Sequence, residues 1–347
     1  MINLFVNTSS TVGTQDGTTN TPGSSGTAAF ATLRQAIDSL GTLSDATTIF
    51  CDGSGGKDTG DIAQGPWDFV TSATNYLLIT AVGSMRANAV WNDNAYIISG
   101  TNKSPGMFYQ NTPCHVRVDG IQMEHIVNDG SSGKIIFKSA NANQTLTGID
   151  MRLSHSLLRG VATNGSTITG IDCRPFGVGG TGRARHWDVI VYGCSQCFTN
   201  DLVDGAFYNC TAASGTFNFI DSVGNTMVVI NCLSTGAVNA GFVGPFQVGS
   251  DYNAEDDGNG APGAHSRGSQ VFSFVDAANK NYRLTKSDTG ARDWGVTDPG
   301  GEGFVTDDID GNIRSGLWDI GASEFIPVPS RKINVLRPKI FRPGLAR

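Results

Sequence analysis

The chain is dominated by short apolar runs separated by glycine, asparagine, aspartate and serine. It opens with the run 2–6, and such runs recur from Thr47 to about Phe246. Short apolar runs bounded by turn residues are typical of β-strands. We therefore predict many short strands, with apolar cores at 76–82, 96–99, 115–123, 134–138, 169–173, 189–194 and 227–232.

Five similar three-residue clusters follow one another at a nearly regular spacing. They are centred on Asp150, Asp172, Gly193, Asn209 and Asn231. A period of about twenty residues with one strand-and-turn cluster per repeat indicates a solenoid of stacked coils. Because no helical segment of about ten residues separates these strands, the pattern predicts an all-β fold, a parallel β-helix.

Stacked coils place like residues over like residues. We expect an interior ladder of four cysteines, Cys173, Cys194, Cys210 and Cys232. We also expect Asn209 to lie over Asn231 and to share side-chain hydrogen bonds with it, as stacked asparagines do.

One segment, Ala28 to Leu40, has helical spacing instead. Its apolar positions at helical intervals are Phe30, Leu33, Ile37 and Leu40. Thr27 or Ser25 is suited to cap the start of this helix and Gly41 to end it. We expect the helix to cover the first coil, because an open end of a solenoid exposes unpaired backbone.

These patterns divide the chain into four segments. Residues 1–46 form an N-terminal strand, loop and capping helix, and residues 47–250 form the β-helix coils. Residues 251–326 supply the C-terminal coils and a cap, and residues 327–347 form an extended arm.

Composition agrees with a turn-rich β protein. The chain has 45 Gly, 16% charged residues and only four Glu, whereas helical surfaces favour Glu and Lys. Its seven cysteines are odd in number and are not spaced like a small disulfide scaffold. Neither a signal peptide nor an apolar run long enough to span a membrane is present, so we expect synthesis in a reducing cytoplasm and no membrane contact.

The C-terminal segment 327–347 differs in charge from the rest of the chain. It contains six basic residues and no acid, whereas the segment 1–326 contains 18 basic and 31 acidic residues. Prolines exclude a helix across this arm, and its apolar residues favour an arm lying on a partner over a solvated tail. The predicted partner-binding residues are Arg331, Lys332, Arg337, Lys339, Phe341, Arg342 and Arg347. The acidic body argues against nucleic acid as the partner.

Two stretches resemble a known group of proteins. Residues 29–37 resemble the start of many right-handed parallel β-helix proteins. The second stretch, residues 251–253, 274–284 and 307–325, is similar to the closing part of one β-helix group. Its core is the closing block, residues 307–325, which contains Asp308-Ile309-Asp310-Gly311-Asn312-Ile313-Arg314 and then Trp318 to Phe325. Members of that group occur as secreted bacterial surface proteins and as proteins encoded by tailed phages. The resemblance implies a single-stranded right-handed parallel β-helix, a fold shared by lyases, hydrolases, adhesins and fibres.

Few residues suggest catalysis. Asp201, Asp204 and Asp221 are candidate carboxylates on adjacent coils, although turn residues are the more common role of Asp. Glu124-His125 and His186 with Asp188 are His–acid neighbours. Adjacent residues of a strand face opposite sides, which argues against a dyad at 124–125, and for all four residues we expect satisfied surface or turn roles. Four aromatic residues are candidates for an outer, sugar-stacking face: Trp67, Trp91, Trp187 and Tyr109.

Two further motifs suggest metal binding only superficially. Cys194-x-x-Cys197 has the spacing of half a zinc site but lacks a second pair, and Asp308-x-Asp310-x-Asn312 lacks the glycine and glutamate positions of a calcium loop. We therefore expect neither a metal nor another cofactor.

The expected function is that of a structural phage virion protein rather than an enzyme. It would be a β-helical decoration or fibre-type component, attached to capsid, neck or tail proteins through the arm, with host surface polysaccharide as a second candidate partner. The alternatives are a tailspike-like polysaccharide depolymerase, either hydrolase or lyase, and a glycan-binding adhesin without turnover. The sequence leaves the oligomeric state open, with a homo-oligomer as one candidate.

Overall fold

The chain winds through three long parallel sheets in a fixed order. The computed structural model describes residues 1–60, 71–104, 106–110, 115–139, 147–173, 181–200, 204–222, 224, 226–301 and 306–327, with side chains omitted at a few strand ends. Each coil passes from sheet A to sheet B to sheet C and returns to sheet A one strand further along. The described part of the chain is therefore a parallel β-solenoid, as the sequence predicts.

Sheet A has eight strands, of which the first two precede the regular coils. Its strands are β1 (Ile2–Asn7), β4 (Thr47–Asp52), β5 (Leu77–Ala81), β8 (His115–Asp119), β11 (Thr147–Ser154), β14 (Thr181–Trp187), β17 (Asp204–Tyr208) and β20 (Met227–Ile230). Every neighbouring pair in this sheet is parallel.

Sheets B and C complete the coils. Sheet B contains β6 (Ile97–Thr101), β9 (Gln122–Val127), β12 (Leu157–Ala162), β15 (Ile190–Tyr192), β18 (Thr211–Ala213), β21 (Leu233–Thr235) and β23 (Ala254–Glu255). Sheet C contains β7 (Gly106–Gln110), β10 (Lys134–Ser139), β13 (Ile168–Cys173), β16 (Gln196–Asn200), β19 (Phe217–Asp221) and β22 (Ala240–Val243).

Several short elements lie outside the coils. Strands β2 (Thr14–Gln15) and β3 (Ser25–Gly26) form a small parallel pair, and β24 (Phe274–Asp276) pairs antiparallel with β25 (Asn281–Leu284). Two 3₁₀ turns lie at Gly83–Met85 and Ala277–Asn279.

The only α-helix among the described residues, α1, is shorter than predicted and spans Leu33–Asp38. Its N-cap is Thr32, which accepts a hydrogen bond from the Gln35 backbone N–H; the predicted caps Thr27 and Ser25 are wrong. The reason is that Phe30 exchanges backbone hydrogen bonds with β1 and is therefore extended. Leu33, Ala36 and Ile37 are buried in the same core as the first coils.

Aromatic stacking fills the interior beside sheet C. Phe198, Phe219 and Phe242 stack in succession, with ring centroids 4.7 and 4.9 Å apart and nearly parallel planes. Phe108 and Phe137 stack in the same way at 5.0 Å. This spacing matches the strand separation of about 4.8 Å, so the coil repeat itself brings like rings into contact.

The predicted cysteine ladder is only half correct. Cys210 and Cys232 occupy equivalent positions, because Thr211 pairs with Leu233. Cys194 instead follows β15, and Cys173 ends β13 in sheet C. All six described cysteines are buried free thiols, and burial raises the pKa of Cys197 to about 12. They therefore behave as small apolar side chains.

Candidate functional site

A column of left-handed residues marks the corner between sheets A and B. Its members are Gly120, His155, Asp188, Asn209 and Asn231, all with φ between 44° and 68°. Glycine and asparagine tolerate this conformation best, which explains the Asn positions. Only the last three members keep the predicted period of about twenty residues, because the two earlier coils are longer.

The predicted asparagine ladder is confirmed at this corner. Asn231 Nδ2 donates to Asn209 Oδ1 at 3.0 Å, and both side chains are buried. Asn231 also exchanges two hydrogen bonds with the backbone of Val296, at 2.7 and 2.8 Å. The ladder therefore binds a later part of the chain to the coils.

The closing block lies along the side of the solenoid, over this corner and the outer face of sheet B. Gly321 N donates to Asn231 O at 2.8 Å, and Ala322 N donates to Thr211 Oγ1 at 3.0 Å. Ile309 and Ala322 share an apolar cluster with outward-facing side chains of sheet B: Leu157, Ile190, Tyr192 and Ala213. The block thus covers sheet B in the middle coils.

A completely buried ion pair holds the block at the corner. Arg314 Nη2 donates to Asp188 Oδ1 at 2.6 Å, and Arg314 Nη1 donates to Glu324 Oε2 at 3.1 Å. Burial raises the pKa of Asp188 to about 7, although the Arg314 charge acts to lower it. Asp188 lies in a turn between two strands, as expected, and its carboxyl group also binds the closing block.

His155 forms a second charged link on the preceding coil. Its Nδ1 is 2.8 Å from Asp119 Oδ1, and its Nε2 is 3.4 Å from Asp307 Oδ1 in the closing block. Burial acts against the charged imidazole, but the two carboxylates outweigh burial and raise the pKa of His155 to about 10. His155 is therefore a cation at neutral pH.

The outer face of sheet A carries a column of three arginines that sequence reasoning missed. Arg117, Arg152 and Arg185 are direct register partners on successive coils, and all three are half-buried. The Arg117 guanidinium lies 3.6 Å from the centre of the Tyr76 ring. The detectable sequence pattern was a single arginine between two residues of the buried face in each of three strands: Val116 and Val118, Met151 and Leu153, and Ala184 and His186.

A surface cavity opens beside this column. It has a volume of about 260 Å³ and is lined by Leu78, Arg117, Asp119, Arg152, Ser154, His155 and Trp187. Three of these residues are cationic and one is a carboxylate. Asp119 already binds Arg86 Nη1 at 2.5 Å as well as His155, and these partners hold its pKa well below the usual range despite burial.

A second charged cluster lies on the outer face of sheet B. Glu124 accepts hydrogen bonds from Lys57 Nζ at 2.7 Å, from Ser99 Oγ at 3.0 Å and from Arg159. The Arg159 guanidinium lies 3.8 Å from the centre of the Trp91 ring. Burial acts to raise the pKa of Glu124, but the two cations outweigh it and lower that pKa.

The histidines near acids do not form dyads, as expected. His125 is buried and neutral, since burial lowers its pKa to about 4, and it accepts a hydrogen bond from Lys103 N at 3.1 Å. His186 is neither at the surface nor in a turn, contrary to expectation. It stacks on Phe207 in the core at 4.9 Å, and burial lowers its pKa to about 3.

The three candidate catalytic carboxylates are not brought together as a described site. Asp221 ends β19 in sheet C, where its carboxylate accepts hydrogen bonds from Gly224 N, Thr226 N, Thr226 Oγ1 and Met227 N. Asp204 begins β17 in sheet A, in register with Arg183. Asp201 lies outside the described residues.

The Asp308 motif forms a turn that is also bound to the backbone of Glu324. Asp308 Oδ1 accepts from the backbone N–H groups of Asp310 and Asn312, at 3.0 and 2.8 Å, and its Oδ2 accepts from Glu324 N at 2.8 Å. Within the described ranges, no group of three or more His, Cys, Asp or Glu side chains is arranged to hold a metal ion.

The remaining predicted residues have mixed placements. Trp187 is buried against Tyr208, with ring centroids 5.7 Å apart, and so is not an exposed platform. Trp91 is half-exposed. Several predicted residues lie outside the described part: Trp67, the Tyr109 side chain, and the arm residues Arg331, Lys332, Arg337, Lys339, Phe341, Arg342 and Arg347. In that part no helix is long and apolar enough to cross a membrane.

Comparison with known proteins adds no identification. No protein-family model, no curated protein and no solved structure matches this chain.

Proposed function

We propose that this protein is a non-enzymatic structural component of a phage particle, a right-handed β-solenoid attached through its basic C-terminal arm. The observation that carries the proposal is the position of the residues that lead into the arm. Phe325 and Ile326 line a surface cavity of about 510 Å³ together with Asn88, which belongs to an early coil. The last described residues before the arm therefore lie on the flank of the solenoid.

The base of the arm is fixed by the contacts that precede it. Glu324 is bound by Arg314, and Phe325 N donates to Asp319 Oδ2 at 2.6 Å. Arg283 forms an ion pair with Asp310, whose Oδ1 also accepts from Ala89 N at 3.1 Å. A flank held by these contacts is suited to present an extended segment to a partner at a defined position.

Charge separation favours an acidic partner surface. The body carries 31 acidic and 18 basic residues, whereas the arm carries six basic residues and no acid. Complementary charge steers encounter, and the apolar residues of the arm supply contact area once it is bound. Capsid, neck or tail proteins are the proposed partners, with the virion as the site of action.

A structural role also accounts for how the buried charges are used. Asp188, Arg314, Glu324 and Asp308 bind one another or the backbone of the closing block. Asp221, the one candidate acid with a described side chain, is bonded to its own turn. At the other end, α1 adds buried apolar side chains to the first coils, which suits a cap.

The test is assembly of the full chain with its arm charges removed. We expect the variant Arg331→Gln/Lys332→Gln/Arg337→Gln/Lys339→Gln to keep its unfolding temperature and to lose incorporation into particles, measured on purified particles. The matched control replaces four cations of the body: Arg34, Lys280, Lys286 and Arg292. Normal incorporation of the arm variant would refute attachment through the arm.

A further inference from the structure

A groove crosses the outside of sheet C where three of its strands begin. It has a volume of about 380 Å³ and extends over the starts of β13, β16 and β19. This volume lies within the range of roughly 300–1,000 Å³ that small-molecule sites occupy. The polar and aromatic residues of its lining are Thr167, Thr169, Ser195, Gln196, Thr216 and Phe217.

The coil repeat holds the side chains of this groove in position. Thr169, Gln196 and Phe217 are direct register partners on neighbouring strands. The chain just before these strands is also bound from coil to coil, because Ser195 N donates to Ile168 O at 2.8 Å and Phe217 N donates to Ser195 O at 3.0 Å. The lining is therefore arranged before a ligand binds, which lowers the entropic cost of binding.

The chemistry of the lining favours an uncharged ligand that is rich in hydroxyl groups. None of the described residues that line the groove is ionisable, so a charged ligand would lose hydration without gaining a counter-charge. The serine and threonine hydroxyls and the Gln196 amide can each donate and accept hydrogen bonds. The half-exposed Phe217 ring adds an apolar face. A sugar ring combines hydroxyl groups with an apolar C–H face and matches both features.

The backbone around the groove disfavours a peptide as the ligand. Strands β13, β16 and β19 lie inside sheet C, and each is paired with a neighbour on both sides. An extended peptide binds most readily by adding a strand to an exposed sheet edge. Because the groove runs across paired strands, it offers side chains and no such edge.

We propose that this groove of sheet C binds a short stretch of a neutral polysaccharide, with one sugar ring against Phe217 and the hydroxyl groups of its neighbour bonded to Gln196 and Thr169. The Thr169 hydroxyl donates to Gln196 Oε1 at 3.4 Å, so these two side chains form one polar unit beside the aromatic ring. Glycan binding here is an activity beyond the proposed structural role, and it does not involve the arm.

The test measures binding of the full chain to mannan, galactan, dextran and chitin oligosaccharides by biolayer interferometry. Polygalacturonate and a short uncharged peptide are the comparison ligands. We expect at least one neutral glycan to bind, with an affinity that stays constant as salt rises from about 50 to 500 mM, because no ion pair contributes to binding.

Phe217→Leu should weaken binding by about tenfold, because it stays apolar but loses the ring, whereas Phe217→Tyr keeps the ring and should bind as the wild type does. Gln196→Ala should weaken binding by about three- to tenfold through the loss of neutral hydrogen bonds. Phe5→Leu and Gln270→Ala are the matched controls, since they remove a half-buried ring and a half-buried amide elsewhere. If Phe217→Leu unfolds early in urea, Gln196→Ala carries the test.

Three outcomes would overturn this inference: no neutral glycan binds, Phe217→Leu and Gln196→Ala both bind normally, or polygalacturonate or the peptide binds at least as tightly as the neutral glycans. Particle incorporation is measured separately on the same variants. Loss of glycan binding with normal incorporation leaves the structural role intact, and the reverse result leaves the glycan site intact.

Discussion

Arg314 and Asp188 are 126 positions apart in the chain, yet their side chains meet at 2.6 Å with no solvent exposure on either partner. Asp188 belongs to the left-handed corner of a middle coil, and Arg314 belongs to the closing block. Through this pair the closing block is bound to the side of the solenoid. The attachment of the closing block can therefore be tested separately from the stability of the coils.

Replacing Arg314 by methionine should destabilise the protein strongly. The change leaves the buried carboxyl groups of Asp188 and Glu324 without the cation that binds both, and breaking a buried ion pair costs about 3–5 kcal/mol. Urea denaturation measures the loss. The double variant Asp188→Asn/Arg314→Met should recover part of it, because one of the two buried acids that lose their cation is gone. A loss no larger than that of Arg34→Met would contradict this role for the pair.

The Asn231 side chain should protect the backbone amide of Val296 from hydrogen exchange but not that of Gly321. Its Oδ1 accepts from Val296 N, whereas its backbone carbonyl accepts from Gly321 N. Asn231→Gly keeps the left-handed corner and removes only the side chain. Hydrogen exchange should therefore speed up at Val296 while Gly321 stays protected. Asn231→Asp places a buried carboxylate against the oxygens of Asn209 and Val296, so it should lower the free energy of unfolding further. Equal exchange at Val296 in wild type and Asn231→Gly would disprove the expectation.

Glu255 should make stability fall as pH rises toward neutrality. It is completely buried at the last strand of sheet B, where burial and then the neighbouring Asp257 raise its pKa to about 7. Because the folded pKa lies above the unfolded value near 4.5, the stabilising contribution is full below pH 4.5 and is lost as pH rises to about 7. The slope approaches about 1.4 kcal/mol per pH unit.

Glu255→Gln should remove this slope and be more stable than wild type above pH 7, as measured by denaturation from pH 4 to 8. Glu124→Gln is the matched control of opposite sign. The pKa of Glu124 is lowered by Lys57 and Arg159 against the effect of burial, so its contribution is present above pH 4.5 and lost in acid. That variant should be less stable than wild type at neutral pH. The Glu255 prediction fails if both variants shift the pH profile in the same direction.

The residues that were predicted well are those whose role is local. Asn209 and Asn231 follow short apolar runs and suit a left-handed corner. Because their separation matches the predicted coil period, the sequence predicts that one lies over the other. Asp150 and Asp172 were predicted to be centres of the same repeated strand-and-turn cluster but lie within strands β11 and β13. The coils that precede Asp188 are longer, so a fixed period of about twenty residues does not predict the register of their strands.

By itself, the sequence determined a β-solenoid of short parallel strands, because apolar alternation and turn residues act within a few positions of each other. It also determined the charge contrast between body and arm. Only the tertiary structure decided that Arg117, Arg152 and Arg185 form a column, that Phe30 is extended on β1, and that Arg314 is buried on Asp188. The physical reason is that coil length sets which residues become neighbours across strands, and a difference of one residue in a loop changes every such pair.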